Sequence, residues 1–313
     1  MTSTVARFTR LIWMCSGLGC ALAVAAAPPS ITETVKSRAR QRVDYGYNAG
    51  ISIGLINAEG RDYFSYGRLN FEDPAPVNER TIFEIGSVTK VFTSLLLADA
   101  VARGEVGFDQ SVQSLLPIDF PIPSGTPEIS LVHLATHRSG LPNNPSNLCL
   151  DEPYRVFECL GEMALRQFLS GYALPRQPGE TWEYSNLGMG LLGFTLAHRF
   201  NQTYEQLLRE RLLEPMGMKD TQLEIPAALS ARVATGHNGV LERPPFRMAS
   251  LGGRAKSAPP SPICSLSLPT NWAFKPTRSR RPWRKPAAHE GLRLNPGSNR
   301  DSAGGWSIYQ VDA

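Results

Sequence analysis

A serine and a lysine one helical turn apart are the residues of this sequence whose types and spacing could do chemistry. Ser87 follows a short apolar segment and Gly86, and from Val88 onward apolar residues recur at helical spacing. We therefore expect Ser87 at or beside a helix N-terminus, with Lys90 one turn later on the same side. Apolar neighbours predict that Lys90 is at least partly buried, and burial favours a neutral amine that can accept a proton. A hydroxyl one turn away is then an activated nucleophile.

The alternative for Ser87 is a plain helix N-cap, a role that serine favours. A capping box, however, carries Glu or Gln three residues after the cap. Here that position holds Lys90, and a cation at the positive end of a helix costs about 0.3–1 kcal/mol. The positive charge of Lys90 therefore argues against a role for Ser87 as a helix cap alone.

A second serine lies in a G-x-S-x-G pattern at 50–54. A nucleophile elbow needs a sharp turn from a strand into a helix. Here the alternation of a strand continues through Ser52, and two strands at 50–57 and 61–67 with a three-residue turn between them predict a β-hairpin. We therefore interpret Ser52 as an ordinary strand residue.

Two further patterns favour structural roles over a metal or nucleotide site. His133 and His137 are four residues apart in a predicted helix at 131–139, but residue 134 is Leu, where a zinc protease carries its general base, and no third ligand is apparent. The G-x-G-x-x-G pattern at 188–193 has no strand before it and no strand-borne acid after it, so it predicts close helix packing. No metal and no organic cofactor are expected.

Composition and the N-terminal segment indicate an exported globular protein. The chain has 313 residues, 42% of them hydrophobic, which is enough for a large core in one or two domains. Residues 1–27 have the pattern of a signal peptide: the basic residues Arg7 and Arg10 are followed by an apolar stretch that ends in small residues. A membrane anchor is the alternative. We expect a periplasmic or secreted protein without a membrane span once the signal is removed, and a possible disulfide between Cys149 and Cys159.

Four motifs in order along the chain resemble one family. They are SVTK at 87–90, THRSGLP at 136–142, YSN at 184–186 and EPMGMKDT at 214–221. Together they resemble the serine β-lactamase and penicillin-binding-protein family, in the branch of class C β-lactamases and related D-alanyl-D-alanine carboxypeptidases and esterases. The resemblance covers roughly residues 40–253.

The resemblance implies an α/β (α+β) fold, in which helices flank an antiparallel sheet built from both chain ends and a mainly helical insertion spans about 105–250. It also implies roles for four residues. Ser87 would attack a carbonyl and be acylated, and Lys90 would take or relay its proton. Tyr184, as a phenolate favoured by lysine cations, would help to activate Ser87 and later a water, and Asn186 would bind the amide side chain of the substrate. The alternative for Tyr184 and Asn186 is a buried aromatic residue and a helix cap.

The C-terminal part departs from that family. A third motif, Lys or His, then Thr, Ser or Gly, then Gly, is absent after residue 253. Residues 254–288 are rich in Pro, Ser and Arg and have no period of two or 3.6, so we interpret them as an aberrant segment, read in a shifted frame that is regained near His289. Residues 289–313 resemble part of a C-terminal strand region. The basic segment lacks the helical periodicity and interleaved aromatics of a nucleic-acid site, which leaves a surface-binding segment as its alternative.

The sequence thus predicts a serine hydrolase that acts through an acyl-enzyme on β-lactams or on D-alanyl peptides of the cell wall. Its activity would be impaired by the missing third motif. Two alternatives stay open: a non-catalytic protein that binds cell-wall peptide or a partner, and a hydrolase of small esters. The oligomeric state is not predicted.

Overall fold

The computed structural model describes residues 27–148 and 160–243 with their side chains and residues 267–269 by their backbone. Helix α1 (Glu33–Asp44) begins at Thr32, whose hydroxyl accepts a hydrogen bond from the Val35 N–H. Strands β1 (Gly50–Asn57) and β2 (Gly60–Gly67) then pair antiparallel along their full length.

The hairpin turn is one residue shorter than the sequence predicted. Asn57 pairs with Gly60, so two residues form the loop instead of three. The Asn57 side-chain oxygen accepts hydrogen bonds from the N–H groups of Glu59 and Gly60 at 2.9 and 3.0 Å, which closes the turn early. Ser52 lies within β1, and its hydroxyl is 2.8 Å from that of Ser65 on β2, so its interpretation as a strand residue is confirmed.

A short strand delivers the chain to the predicted nucleophile. Strand β3 (Ile82–Glu84) pairs antiparallel with β6 (Ser267–Pro269), and a 3₁₀ turn, Gly86–Val88, leads directly into α2 (Thr89–Ala102). The strand β6 falls inside residues 254–288, where the sequence predicted no ordered pattern. Backbone hydrogen bonding to a neighbouring strand needs no side-chain periodicity, so composition gave no signal for it.

The rest of the described chain is mainly helical. Its helices are α3 (Leu131–Ala135), α4 (Glu162–Gly171), α5 (Asn186–Phe200) and α6 (Tyr204–Leu208), with a π-helical turn at Arg209–Leu213 and 3₁₀ segments at Gln113–Leu115 and Ala227–Arg232. Strands β4 (His237–Asn238) and β5 (Leu241–Glu242) form a minimal antiparallel pair. Within residues 27–148 and 160–243, no helix combines the length and apolar character needed to cross a membrane.

Helix α5 is the centre of the main core. Every residue from Leu187 to Ala197 is buried, and the helix packs against α2, α3 and α6. A Cβ atom at Gly188 would lie 3.1 Å from the Ser185 hydroxyl and 3.4 Å from that of Ser139. This glycine therefore serves close packing, as the sequence predicted for the G-x-G-x-x-G pattern.

Helix α2 presents one face to that core and one to solvent. Leu96 is 1% exposed within the main apolar cluster, whereas its neighbour Leu95 is 41% exposed. Since both leucines lie on the helix that carries the predicted site, they form a matched pair for testing how far core packing maintains it.

We expect Leu96→Ala to lower the free energy of unfolding by about 2–5 kcal/mol, because it removes buried methyl groups and leaves a cavity. Leu95→Ala should cost less than about 1 kcal/mol, since its side chain is partly in water and Ala favours a helix. Urea unfolding of the two variants measures the difference. Equal losses would contradict this orientation of α2.

Candidate active site

Ser87 lies in the turn between β3 and α2, with its side chain exposed. Gly86 just before it has φ +50°, a conformation that glycine adopts without strain and that lets the chain turn into the helix. The N-cap position of α2 belongs to Val88 and carries no side-chain hydrogen bond. The alternative in which Ser87 only caps the helix is therefore wrong, and its hydroxyl has other partners.

The first partner is Lys90, one turn further along α2. Its Nζ atom donates a hydrogen bond to Ser87 Oγ at 3.1 Å, and the residue is only 7% exposed. The expected burial of this lysine is confirmed. A buried amine needs polar or aromatic partners to offset its lost hydration, and both are present here.

The second partner is Tyr184, which is 97 residues away in the sequence. Its hydroxyl lies 2.6 Å from Ser87 Oγ. The Lys90 Nζ atom lies 4.9 Å from the centroid of the same ring, within the range of a cation–π interaction. The structure therefore brings together three predicted residues, with the serine hydroxyl bonded to the lysine and to the tyrosine at once.

The backbone after Tyr184 is anchored by Ser185, which is fully buried. Its hydroxyl accepts from the Gly188 N–H at 2.8 Å, which caps α5, and donates to the Pro142 carbonyl at 2.6 Å. These two bonds connect the start of α5 to the segment that follows α3. Tyr184 is thus held at the start of α5, whose residues from Leu187 to Ala197 are all buried.

Asn186 is the first residue of α5, not its cap. Its amide nitrogen donates to the side-chain oxygen of Asn144 at 3.1 Å. Its own side-chain oxygen is buried and has no hydrogen-bond partner among the residues that the structure describes. A buried acceptor without a partner is costly, so this atom could receive the N–H of a bound amide.

The helix predicted at 131–139 is wrong at its end, because α3 stops at Ala135. His137 takes φ +59° and occupies the first position beyond the helix cap. Its N–H donates to Leu134 O at 3.3 Å, and the Arg138 N–H donates to His133 O at 2.8 Å, which is the paired bonding of a Schellman motif. Glycine is usual at this position, and another residue there costs about 1–2 kcal/mol.

His137 contacts the tyrosine of the site. Its Nδ1 accepts from the Ser185 N–H at 3.1 Å, and its ring lies 4.7 Å from that of Tyr184 and 6.1 Å from that of Trp182, between centroids. Burial, together with the cation of Lys90, lowers the pKa of His137 from 6.5 to about 4. The imidazole is therefore neutral at neutral pH and accepts through Nδ1.

The two histidines do not share a helix face as the sequence predicted. His133 lies on α3, and its Nδ1 accepts from the Ser130 N–H at 3.3 Å, while His137 lies beyond the helix end. Among the described residues, no group of three His, Cys, Asp or Glu side chains is placed to hold a metal ion. Both histidines have structural hydrogen bonds, as the sequence interpretation favoured.

Several predictions fall outside the described residues. These are the signal segment up to residue 26, the pairing of Cys149 with Cys159, and the C-terminal strand region at 289–313. Apart from the backbone of Ser267–Pro269, the segment 254–288 lies there too.

Comparison with known proteins identifies the family. The protein-family model for Beta-lactamase matches residues 35–304. The chain belongs to the beta-lactamase family. Its predicted membership is therefore confirmed, on a match that covers most of the sequence.

Relatives in this family are about 30% identical to the chain over the aligned residues. A beta-lactamase of Providencia stuartii is 29% identical over 217 residues, which are 69% of this chain and 52% of that protein. The D-alanyl-D-alanine-carboxypeptidase/endopeptidase AmpH of Escherichia coli strain K12 is 31% identical over 196 residues, or 62% of this chain and 50% of that one. The chain spans about half the length of the curated relatives it matches.

Solved structures of the beta-lactamase family confirm the predicted fold. A class C beta lactamase from Rhodobacter sphaeroides superposes with a TM-score of 0.61 at 23% identity, covering 76% of this chain and 62% of that one. A second class C beta-lactamase gives 0.63 at 24% identity, covering 75% and 60%. The described residues combine helices with three small antiparallel strand pairs, which is the mixed α/β class expected from the sequence.

Sequence reasoning did not assign three residues that contact the site: Ser185, Asn144 and His137. The signal for Ser185 was present, since a serine before a helix is a favoured N-cap. His137 was noticed, but a spacing of four residues suggested a shared helix face that the left-handed turn abolishes. Asn144 lies 42 residues from Asn186, and no local pattern could connect them.

The lowered pKa of His137 makes folding pH-dependent. The unfolded histidine binds a proton below about pH 6.5, whereas the folded one resists it down to about pH 4. The neutral ring thus contributes its full stability above pH 6.5. As the pH falls from there towards 4, we expect the free energy of unfolding to decline by at most about 1.4 kcal/mol per pH unit from this residue.

The variant His137→Asn cannot titrate, and its side-chain oxygen can take the place of Nδ1. Between pH 6.5 and 5, above the range of most carboxylates, we expect it to lose stability less steeply than the parent protein. Chemical unfolding at closely spaced pH values gives both slopes. Identical slopes would show that this imidazole titrates as it does in water.

Proposed function

We propose that this protein is a serine hydrolase that forms an acyl-enzyme at Ser87 on β-lactams or on D-alanyl peptides of the cell wall. One observation carries the proposal: an exposed serine hydroxyl is bonded at once to Lys90, at 3.1 Å, and to Tyr184, at 2.6 Å. Membership of the beta-lactamase family and its AmpH relative support the same substrate classes.

The hydrogen bonds suggest a route for the proton. Lys90 Nζ donates to Ser87 Oγ, so the serine hydroxyl is free to donate to the Tyr184 oxygen. The resemblance to the family implies a tyrosinate at this position, which would take that proton as Oγ attacks the carbonyl carbon. When the amide C–N bond breaks, the same proton passes to the leaving nitrogen.

Deacylation reverses this path. Water donates a proton to the tyrosine–lysine pair as its oxygen attacks the ester carbonyl, and the proton then returns to Ser87 as the acid product leaves. Lys90 acts as the relay in both half-reactions, because its Nζ atom donates to Ser87 Oγ and lies 4.9 Å from the centroid of the tyrosine ring. The two half-reactions consume one water and leave the enzyme unchanged.

The negative charge on the reacting carbonyl oxygen needs donors. The Ser87 N–H lies at the N-terminal end of α2, where exposed N–H groups and the helix dipole favour an anion. The sequence after residue 253 contains no Lys/His–Thr/Ser/Gly–Gly triplet to supply the second donor expected in this family. One such donor typically contributes about 10²–10³ to kcat.

Asn186 would bind the substrate amide through the side-chain oxygen that has no partner among the described residues.

The proposed substrates occur outside the cytoplasmic membrane. This location agrees with the export signal predicted from residues 1–27, and we propose that the mature protein is periplasmic or secreted. The same nucleophile would also serve a hydrolase of small esters, which would differ only in the shape of its pocket.

We expect a fluorescent penicillin to label the parent protein and intact-mass spectrometry to show one added acyl group. Ser87→Ala should abolish the label, because the attacking oxygen is lost. The matched control is Ser52→Ala, which removes a hydroxyl that bonds Ser65 within the hairpin, and it should label normally.

The same measurement separates the alternatives. Penicillin binding without added mass, unchanged in Ser87→Ala, would favour a non-catalytic binding protein. The lifetime of the added mass, compared between penicillin and a D-alanyl-D-alanine peptide, distinguishes the two proposed substrate classes. A short-lived adduct with penicillin is the behaviour of a β-lactamase.

Tyr184→Phe removes the oxygen that is bonded to Ser87 but keeps the ring near Lys90. We expect the maximal acylation rate to fall by about 10²–10⁴, the usual contribution of a general base, at an almost unchanged half-saturating concentration. Tyr66→Phe is the control, since the hydroxyl of Tyr66 donates to Asp44 at the end of α1 and not to Ser87. Similar acylation rates in Tyr184→Phe and Tyr66→Phe would show that Lys90 alone transfers the proton.

A further inference from the structure

His137 stands where a helix end normally carries glycine. It has φ +59° and completes a Schellman motif after α3. Residues held in such a conformation without being glycine cluster at functional sites, because surrounding contacts must offset the strain. The contacts of His137 therefore indicate which part of the structure depends on its strained backbone conformation.

Those contacts converge on Tyr184. The carbonyl oxygen of His137 accepts from the Glu183 N–H at 2.8 Å, and its Nδ1 accepts from the Ser185 N–H at 3.1 Å. The residues before and after the tyrosine are thus both bonded to one histidine. In addition, the imidazole lies against the tyrosine ring, with centroids 4.7 Å apart and planes inclined by 36°.

We propose that His137 is the positioning residue that holds the Tyr184 hydroxyl against Ser87. His137 accepts hydrogen bonds from the residues before and after Tyr184, and its imidazole contacts the tyrosine ring. Lys90 lies within cation–π distance of the same ring. The inference rests on the proposed function, because it concerns the rate at which Ser87 is acylated. His137 itself does not touch the Ser87 hydroxyl in any described hydrogen bond, so its role is indirect.

The left-handed conformation of His137 also allows variants that change its side chain without straining the backbone. Glycine adopts φ +59° without strain, so His137→Gly should fold while it loses both the ring and the Nδ1 acceptor. Asparagine tolerates the same conformation and presents an oxygen near the position of Nδ1. His137→Asn therefore restores the bond to Ser185 but not the ring contact. His133→Asn is the control, since that ring bonds Ser130 at the other end of α3.

In the full-length protein we expect His137→Gly to lower the maximal rate of Ser87 acylation by penicillin by about 100-fold, the effect of a displacement of about 1 Å in a catalytic group. The half-saturating concentration should hardly change, because substrate contacts are intact. His137→Asn should recover most of the lost rate. His133→Asn should keep the parent rate.

A double-mutant cycle distinguishes positioning from general destabilisation. In the Tyr184→Phe background, His137→Gly should slow acylation by less than about threefold, because the group that it positions is already gone. An undiminished 100-fold loss there would overturn the proposal. Should His137→Gly not fold, the same cycle with His137→Asn measures the ring contact alone.

A readout without substrate keeps this inference separate from the proposed function. Amide hydrogen exchange at Ser185 should be about tenfold faster in His137→Gly, as expected for one lost hydrogen bond, and normal in His137→Asn and His133→Asn. Parent protein that is not labelled by penicillin would refute the proposed function. Unchanged exchange, or His137→Gly labelled at the parent rate, would refute the role of His137.

Discussion

The rest of the site depends on two hydrogen bonds that meet at the Ser87 hydroxyl, one from Lys90 and one shared with Tyr184. A lysine that is 93% withdrawn from water is unfavourable unless its nitrogen has partners. Here the partners are the serine oxygen and an aromatic ring. Burial of this amine therefore requires the tyrosine to be in place.

The placement of one tyrosine oxygen depends in turn on the packing of the core. Tyr184 directly precedes Ser185, the N-cap of α5, and α5 is buried over most of its length. Ser185 caps this helix and ties it to the chain after α3, and His137 bonds both neighbours of the tyrosine. A shift of α5 would therefore move the hydroxyl away from Ser87.

The electrostatics of the site follow from the same arrangement. His137 lies close enough to Lys90 for the cation, together with burial, to lower its pKa to about 4. A neutral imidazole can accept the Ser185 N–H, whereas a protonated one could not and would repel the lysine. The uncharged state of this ring is thus part of the geometry that holds the tyrosine.

The sequence by itself determined what depends on local spacing: the helix after Ser87, its partner at Lys90, the first hairpin and the close helix packing at 188–193. Order of the motifs along the chain further indicated the family and named Tyr184 and Asn186. Tertiary structure alone decided the contact between Ser87 and Tyr184, the early closure of the hairpin at Asn57 and the role of His137. Periodicity reports which face a residue occupies within one element, but a left-handed helix end, a side-chain bond in a turn and a contact across 97 residues arise from packing between elements.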